Sequence, residues 1–74
     1  MIELSVDNTV QAAYLKLTDT KIERTVELTP GILIDFDAEG QIVGIEHLAM
    51  EPTTQEELEK TFRNVPNVKV RVEG

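Results

Sequence analysis

Alternation of apolar and polar side chains dominates the first two-thirds of the chain. This period-two pattern is typical of strands that bury one face. Turn-forming residues such as Asp7-Asn8-Thr9 and Thr29-Pro30-Gly31 separate the alternating runs. The pattern predicts five consecutive strands, at residues 2–6, 12–17, 22–28, 32–36 and 41–48. Because each run follows the previous one after a short turn, we predict an antiparallel β-meander over residues 2–48.

The turn between the fourth and fifth predicted strands has a distinctive sequence. Asp37-Ala38-Glu39-Gly40 fits a type I turn followed by a glycine at positive φ, a common hairpin connection. Gly44 then falls in the middle of the fifth strand, where a residue without a side chain marks a bulge or a close approach by another group. We expect a helix or an aromatic ring to contact the sheet at Gly44.

The hydrophobic period changes after Pro52 from two residues to about 3.6, which indicates a helix. Leu58, Phe62 and Val65 form one apolar stripe at helical spacing. Thr53 can cap the helix, with Glu56 as its capping-box partner. The pattern predicts a helix over 53–65 that packs on one face of the sheet.

Valines alternate with basic residues near the end of the chain, which predicts a short strand over 68–72 at a sheet edge. No composition change marks a domain boundary. Residues 1–74 are therefore expected to form a single α+β domain, an antiparallel β-meander of five to six strands with one helix.

The balance of charge limits the classes of partner. Fourteen acidic residues face seven lysines and arginines, a net charge of −7. Binding to nucleic acid depends on clustered basic side chains, so we expect no nucleic-acid partner. The chain has no cysteine, no basic leader followed by an apolar segment, and no apolar run of membrane-spanning length. We interpret it as cytoplasmic, without a membrane partner.

The motifs around the central hairpin resemble a known family. Gly31, Asp35, Asp37, Gly40, Gly44, Ile45 and Glu46 follow the pattern G-h-h-h-D-h-D-x-x-G-x-h-h-G-I-E, in which h is apolar; upstream, Asp7, Ala12, Tyr14 and Leu17 fit D-x-x-x-x-A-x-Y-h-x-L. In these positions the chain resembles the small bacterial domain of unknown function 2283. The resemblance implies a β-meander followed by a helix, with no established reaction, cofactor or active site. It also implies an antitoxin or accessory role, because some members are thought to be encoded beside small toxin-like proteins.

Apolar residues on both faces of the fourth and fifth strands suggest an interface. One short helix covers only part of one face of such a sheet, so the remaining apolar surface needs another copy or a partner. Our first hypothesis is a non-enzymatic interaction domain that forms a homodimer or small oligomer. Its expected contact residues are Leu33, Ile34, Phe36, Ile42 and Val43. The alternative is that strong sheet twist, the helix and the last strand hide these residues within a monomer.

A second hypothesis uses the acidic surface of the sheet. Electrostatic complementarity would favour a small basic, toxin-like partner. The acidic residues expected to face it are Glu23, Glu27, Asp35, Asp37 and Glu46.

Catalytic and metal-binding functions have weaker support in the sequence. Asp35, Asp37, Glu39 and Glu46 have nearly the spacing of an EF-hand loop, but β-forming sequence flanks them where helices are required. Ser5, His47 and Asp35 could in principle form a hydrolytic triad, yet no nucleophile-elbow sequence surrounds Ser5. Glu46 and His47, as strand neighbours, are expected on opposite faces. We therefore predict no catalytic residue, no metal site and no cofactor.

Overall fold

Six strands and one short helix make up the fold of the computed structural model, which describes residues 1–74. The strands are β1 (Ile2–Asp7), β2 (Ala12–Lys16), β3 (Arg24–Thr29), β4 (Ile32–Phe36), β5 (Ile42–Leu48) and β6 (Val68–Glu73), and the helix α1 (Gln55–Thr61) lies between β5 and β6. The predicted α+β class and the helix near the C-terminus are thus confirmed. With only seven residues, α1 is too short to cross a membrane, and no other helix is present.

The strand order differs from the predicted meander. All six strands form one sheet in the order β3-β4-β5-β2-β1-β6, so β3 lies at an edge rather than beside β2. β6 runs parallel to β1, which makes the sheet mixed and the prediction of a purely antiparallel sheet wrong. The reason is that β5 returns to pair with β2, and the connection through α1 then brings β6 to the far side of β1. The predicted edge position of the last strand is confirmed.

The hairpin between β4 and β5 forms as predicted. Asp37 accepts through Oδ1 the backbone N–H groups of Glu39 and Gln41, each at 2.9 Å, and its carbonyl accepts the N–H of Gly40 at 3.1 Å. Gly40 has φ +79°, a conformation that a glycine adopts without steric cost. The carboxylate of Asp37 thus holds the turn that sets the register of the two central strands.

The helix is shorter than predicted, and its N-cap lies one residue later than expected. It spans Gln55–Thr61 instead of residues 53–65, and the N-cap is Thr54, whose hydroxyl accepts the N–H of Glu57 at 3.1 Å. Thr53 is held by Asn8 instead, since the Asn8 side chain both donates to the Thr53 carbonyl and accepts its N–H. Val65 lies beyond the end of the helix and is exposed.

The register places two different surfaces on the sheet. The residues on the apolar face are Ile2, Leu4, Val6, Ala13, Leu15, Val26, Ile32, Ile34, Phe36, Val43, Ile45, Val68, Val70 and Val72. The positions on the polar face are Glu3, Ser5, Asp7, Ala12, Tyr14, Lys16, Thr25, Glu27, Leu33, Asp35, Gly44, Glu46, Leu48, Lys69, Arg71 and Glu73. The helix lies on the apolar face, because the β6 residues on that face are half-buried while those on the polar face are exposed and α1 packs against β6.

Candidate functional site

The uncovered part of the apolar face is the most unusual surface of the molecule. Leu4, Leu15, Ile45, Ile34 and Val26 form a row that runs from β1 to β3 in directly paired positions. The only apolar side chains that become fully buried are those of Val6, Ala13 and Val43. At the β3 end of the row, Val26 remains 38% exposed. The apolar row is therefore half-buried from β1 to β4 and becomes exposed at β3.

The total exposed area of the chain is large for its mass. A folded monomer of 8.3 kDa is expected to expose about 4,600 Å². This chain exposes 5303 Å². The excess, about 700 Å², is close to the roughly 800 Å² that each partner buries in a standard protein interface. The chain thus exposes more surface than the compact monomer that its mass predicts.

Two polar side chains interrupt the apolar face. His47 lies between Ala13 and Ile32 in the register, and Arg24 pairs with Phe36 at the edge of β3. The guanidinium of Arg24 stacks over the Phe36 ring at 4.5 Å from its centroid, an arrangement that cation–π attraction stabilises. Arg24 therefore covers part of Phe36 and places a positive charge at one end of β3 on the apolar face.

The polar face is organised around Asp35. Its Oδ2 accepts the hydroxyl of Tyr14 at 2.7 Å and its Oδ1 accepts that of Thr25 at 2.5 Å, so that one carboxylate connects β2, β4 and β3. Burial, followed by the hydrogen bond to Asp35 and the negative charges of Asp35 and Glu46, raises the pKa of Tyr14 to about 12. The phenol thus stays protonated and acts as a hydrogen-bond donor.

The ring of Tyr14 crosses Gly44 to reach Asp35. A Cβ on residue 44 would overlap the Tyr14 hydroxyl and would lie 2.9 Å from the carbonyl oxygen of Leu15. The predicted close approach of an aromatic ring at Gly44 is therefore confirmed. The predicted alternative, a bulge, is present as well, since the register between β4 and β5 shifts beside Asp35.

The five residues expected at an interface do not lie on one face. Ile34 and Phe36 are half-buried on the apolar face, and Ile42, which pairs with Phe36 across the bulge, is 40% exposed. Leu33 lies on the polar face between Glu27 and Glu46. Val43 is only 3% exposed, so it is part of the buried core and has almost no surface for contact with a partner. Val26 was missed, because sequence alternation alone gave no sign that β3 would form an edge.

Three of the five residues in the predicted acidic surface do come together. Glu27, Asp35 and Glu46 share the polar face of β3, β4 and β5. Asp37 is instead in the hairpin turn, where its carboxylate accepts backbone N–H groups. Glu23 precedes β3.

The residues considered for catalysis or metal binding do not form such sites. Ser5 and Asp35 lie on the polar face, whereas His47 lies on the apolar face, so the three cannot form a triad. Glu46 and His47 point to opposite faces for the same reason. The EF-hand-like segment is a β-hairpin with no helix on either side, and no group of three or more acidic or histidine side chains is arranged to hold a metal ion.

A shallow hollow of about 390 Å³ lies on the polar face near β6. It forms because Ala12 and Ser5 are small, while Tyr14 and Arg71 rise beside them. Arg71 already pairs with Glu73 at 3.2 Å, and no buried polar side-chain atom lacks a hydrogen-bond partner. Among the polar side chains that line the hollow, those of Ser5 and Glu46 make no hydrogen bond or ion pair within the chain.

Comparison with known proteins assigns the chain to a family. Neither a curated protein nor a solved structure gives a significant match. A family profile, described as a protein of unknown function, matches residues 4–50, which is more than half of the 74 residues. The matched segment contains Tyr14, Asp35 and Gly44, the three residues that meet on the polar face. The chain therefore belongs to the family of proteins of unknown function DUF2283.

Proposed function

We propose that the protein is a non-enzymatic interaction domain that associates with a second copy of itself through the apolar face. The observation that carries this proposal is the surplus of about 700 Å² of exposed surface, which is close to the roughly 800 Å² per partner of a standard interface. The apolar row from Leu4 to Val26 supplies the chemistry of such a contact. Two sheets stacked face to face at about 10 Å would bury these rows against each other.

The energetic argument also favours association. Chains of this length bury only about 60% of their unfolded surface and have little stability to spare. With three fully buried apolar side chains, a lone subunit has an incomplete core. Stacking two apolar faces would complete the core of both copies, because the apolar side chains of each face would cover those of the other.

Adjacent residues of β4 allow a matched test by light scattering coupled to size-exclusion chromatography. The wild type is expected to elute with at least twice the monomer mass of 8.3 kDa at tens of micromolar. Ile34→Lys places a charge on the apolar face and should halve the mass of the assembly, whereas Leu33→Lys makes the same change on the polar face and should leave the mass unchanged. Both residues are half-buried, so burial does not distinguish them.

A second variant keeps the test decisive if Ile34→Lys unfolds. Val26→Lys also lies on the apolar face but at an exposed edge position, where the lysine stem can lie along the surface. Circular dichroism would verify its fold. A strictly monomeric wild type, or a dimer that tolerates a folded Val26→Lys, would overturn the proposal.

The grouping of Glu27, Asp35 and Glu46 on one face favours a second candidate, an accessory or antitoxin-like domain that binds a small basic protein. Asp35 is already bonded to Tyr14 and Thr25, so Glu27 and Glu46 would carry the contact. Binding of a purified basic protein encoded beside the gene should weaken with salt and with Glu27→Lys plus Glu46→Lys. The matched control is Glu56→Lys plus Glu59→Lys on α1, and equal loss in both variants would argue against this candidate.

A further inference from the structure

The two edges of the sheet are protected differently. At the β6 edge, the side chain of Gln55 donates through Nε2 to the carbonyl of Val70 at 3.0 Å, and its Oε1 accepts the N–H of Val72 at 2.8 Å. The carboxamide thus takes the place that a neighbouring strand would occupy. At the other edge, every residue of β3 is exposed and no helix packs against it. Unpaired strand edges are templates for pairing with another chain.

We propose that β3 pairs antiparallel with β3 of a second copy, about a two-fold axis at Val26. This contact goes beyond the stacking of apolar faces and does not depend on it. Val26 would lie opposite Val26 of the second copy, and Thr25 opposite its Glu27. A self-complementary contact of this kind is the normal form of a two-fold interface.

The charges of β3 select this register. If both apolar faces are to lie on the same side of the joined sheet, directly opposed residues must both be even-numbered or both be odd-numbered, because side chains alternate between the two faces along a strand. A two-fold axis at Thr25 would place Glu23 opposite Glu27, and an axis at Glu27 would place Glu27 opposite itself. Like charges directly opposite are destabilising. An axis at Arg24 would place Arg24 opposite itself, and an axis at Leu28 would fall on the bulge and bring Pro30, which has no N–H, opposite Val26. Among the axes at residues 24 to 28, only the one at Val26 avoids all of these conflicts.

The pairs that flank this axis contain no like charges. Arg24 would lie opposite Leu28, and the bulge at Leu28 marks the end of the regular β3–β4 pairing. Val26 belongs to the apolar row, so the pairing would join two apolar rows into one continuous row across both copies. The joined sheet would keep its apolar face free for stacking, and both contacts together would give an assembly of four copies.

Single cysteines test the axis directly, because the chain contains no native cysteine. Val26→Cys would place two thiols on directly opposed residues, about 5 Å apart at Cα, within the range of a disulfide. Leu28→Cys is the control, since its two copies would be about 13 Å apart along the strands. Leu28 is 66% exposed against 38% for Val26, so random collision would favour the control.

Under mild oxidation we expect a covalent dimer from Val26→Cys and little or none from Leu28→Cys. Stronger cross-linking by Leu28→Cys, or by Thr25→Cys, would overturn the register. The experiment is repeated in the Ile34→Lys background, where the face contact is removed. Cross-linking that persists there supports the edge contact by itself, and cross-linking lost there shows that it arose from stacking and overturns it.

Charge at residue 25 gives a second measurement whose sign is fixed by the register. Thr25→Lys would face Glu27 of the second copy and tighten association, whereas Thr25→Glu would face the same carboxylate and weaken it. Both variants lose the hydroxyl bonded to Asp35, so that loss cancels in the comparison. Equal dimer dissociation constants for the two variants, measured by sedimentation, would contradict the edge contact but leave the face contact standing.

Discussion

The phenol ring of Tyr14 lies directly over Gly44 and carries its hydroxyl across β5 to Asp35. The contact links three strands on the polar face, since Tyr14 is on β2 and Asp35 is on β4. It requires a residue without a side chain at position 44. All three residues fall within the segment that matches the family.

Gly44→Ala is expected to destabilise the fold by about 1–3 kcal/mol, because the added methyl group would displace the Tyr14 ring. Urea denaturation measures the change in the free energy of unfolding. In a Tyr14→Ala background the ring is absent, and the same Gly44→Ala substitution should cost clearly less. Equal costs in the two backgrounds would show that the overlap with the ring is not the cause.

Tyr14 also predicts a change of stability at alkaline pH. Its pKa is raised from 10.0 to about 12 in the folded protein, so the folded state holds the phenol proton more tightly than the unfolded chain does. The stabilisation is therefore fully present below pH 10.0 and is lost as the pH rises toward 12. Between about pH 10 and about pH 12, the wild type should therefore lose more unfolding free energy than Tyr14→Phe. Parallel curves for the two proteins would contradict this assignment.

Local features of the fold were predictable from the sequence, whereas strand order was not. The turn at Asp37 and Gly40 depends on residues close in sequence, and a glycine within an apolar strand, as at Gly44, is itself the signal of a close approach by another group. The neighbours of β3 and β6 depend on pairing between segments that are distant in sequence. The alternation of apolar and polar residues does not specify which strands pair, or in which register. The open edge at Val26 and the cap at Gln55 follow from that order, so neither could be predicted.

The error at the start of the helix has a specific physical cause. Thr53 and Thr54 are adjacent and equally suited to capping by residue type. The side chain of Asn8 binds the backbone of Thr53 in both directions, at 2.7 Å and 3.1 Å, and fixes that residue before the helix. Thr54 is then the first residue whose hydroxyl can cap α1. The contact of Thr53 with Asn8, 45 positions away in sequence, therefore determines which threonine caps α1, a choice that local preference does not settle.

Asn8→Ala is expected to destabilise the protein by about 1–3 kcal/mol, because the two backbone groups of Thr53 lose their partner. Asn8 also donates to the carbonyl of Gly74 at 3.2 Å, so the C-terminal end of β6 should loosen together with the helix. Hydrogen exchange should show faster exchange of the Thr53 amide. Asn8→Asp retains an acceptor for that amide and should protect it better than Asn8→Ala, and equal exchange rates in the two variants would exclude the proposed bond.

Gln55→Ala is expected to uncover the β6 edge. The carboxamide satisfies one donor and one acceptor of β6, and its removal leaves both to water while detaching the first turn of α1 from the strand. We expect faster exchange of the Val72 amide and a loss of about 1 kcal/mol of stability. Gln55→Glu keeps an acceptor for the Val72 N–H but has no donor for the Val70 carbonyl, so its Val72 amide should exchange more slowly than in Gln55→Ala. An unchanged Val72 exchange rate in Gln55→Ala would show that the carboxamide does not protect this edge.

Gln55→Ala should also form larger assemblies than the wild type at high concentration, because a second open edge becomes available for pairing.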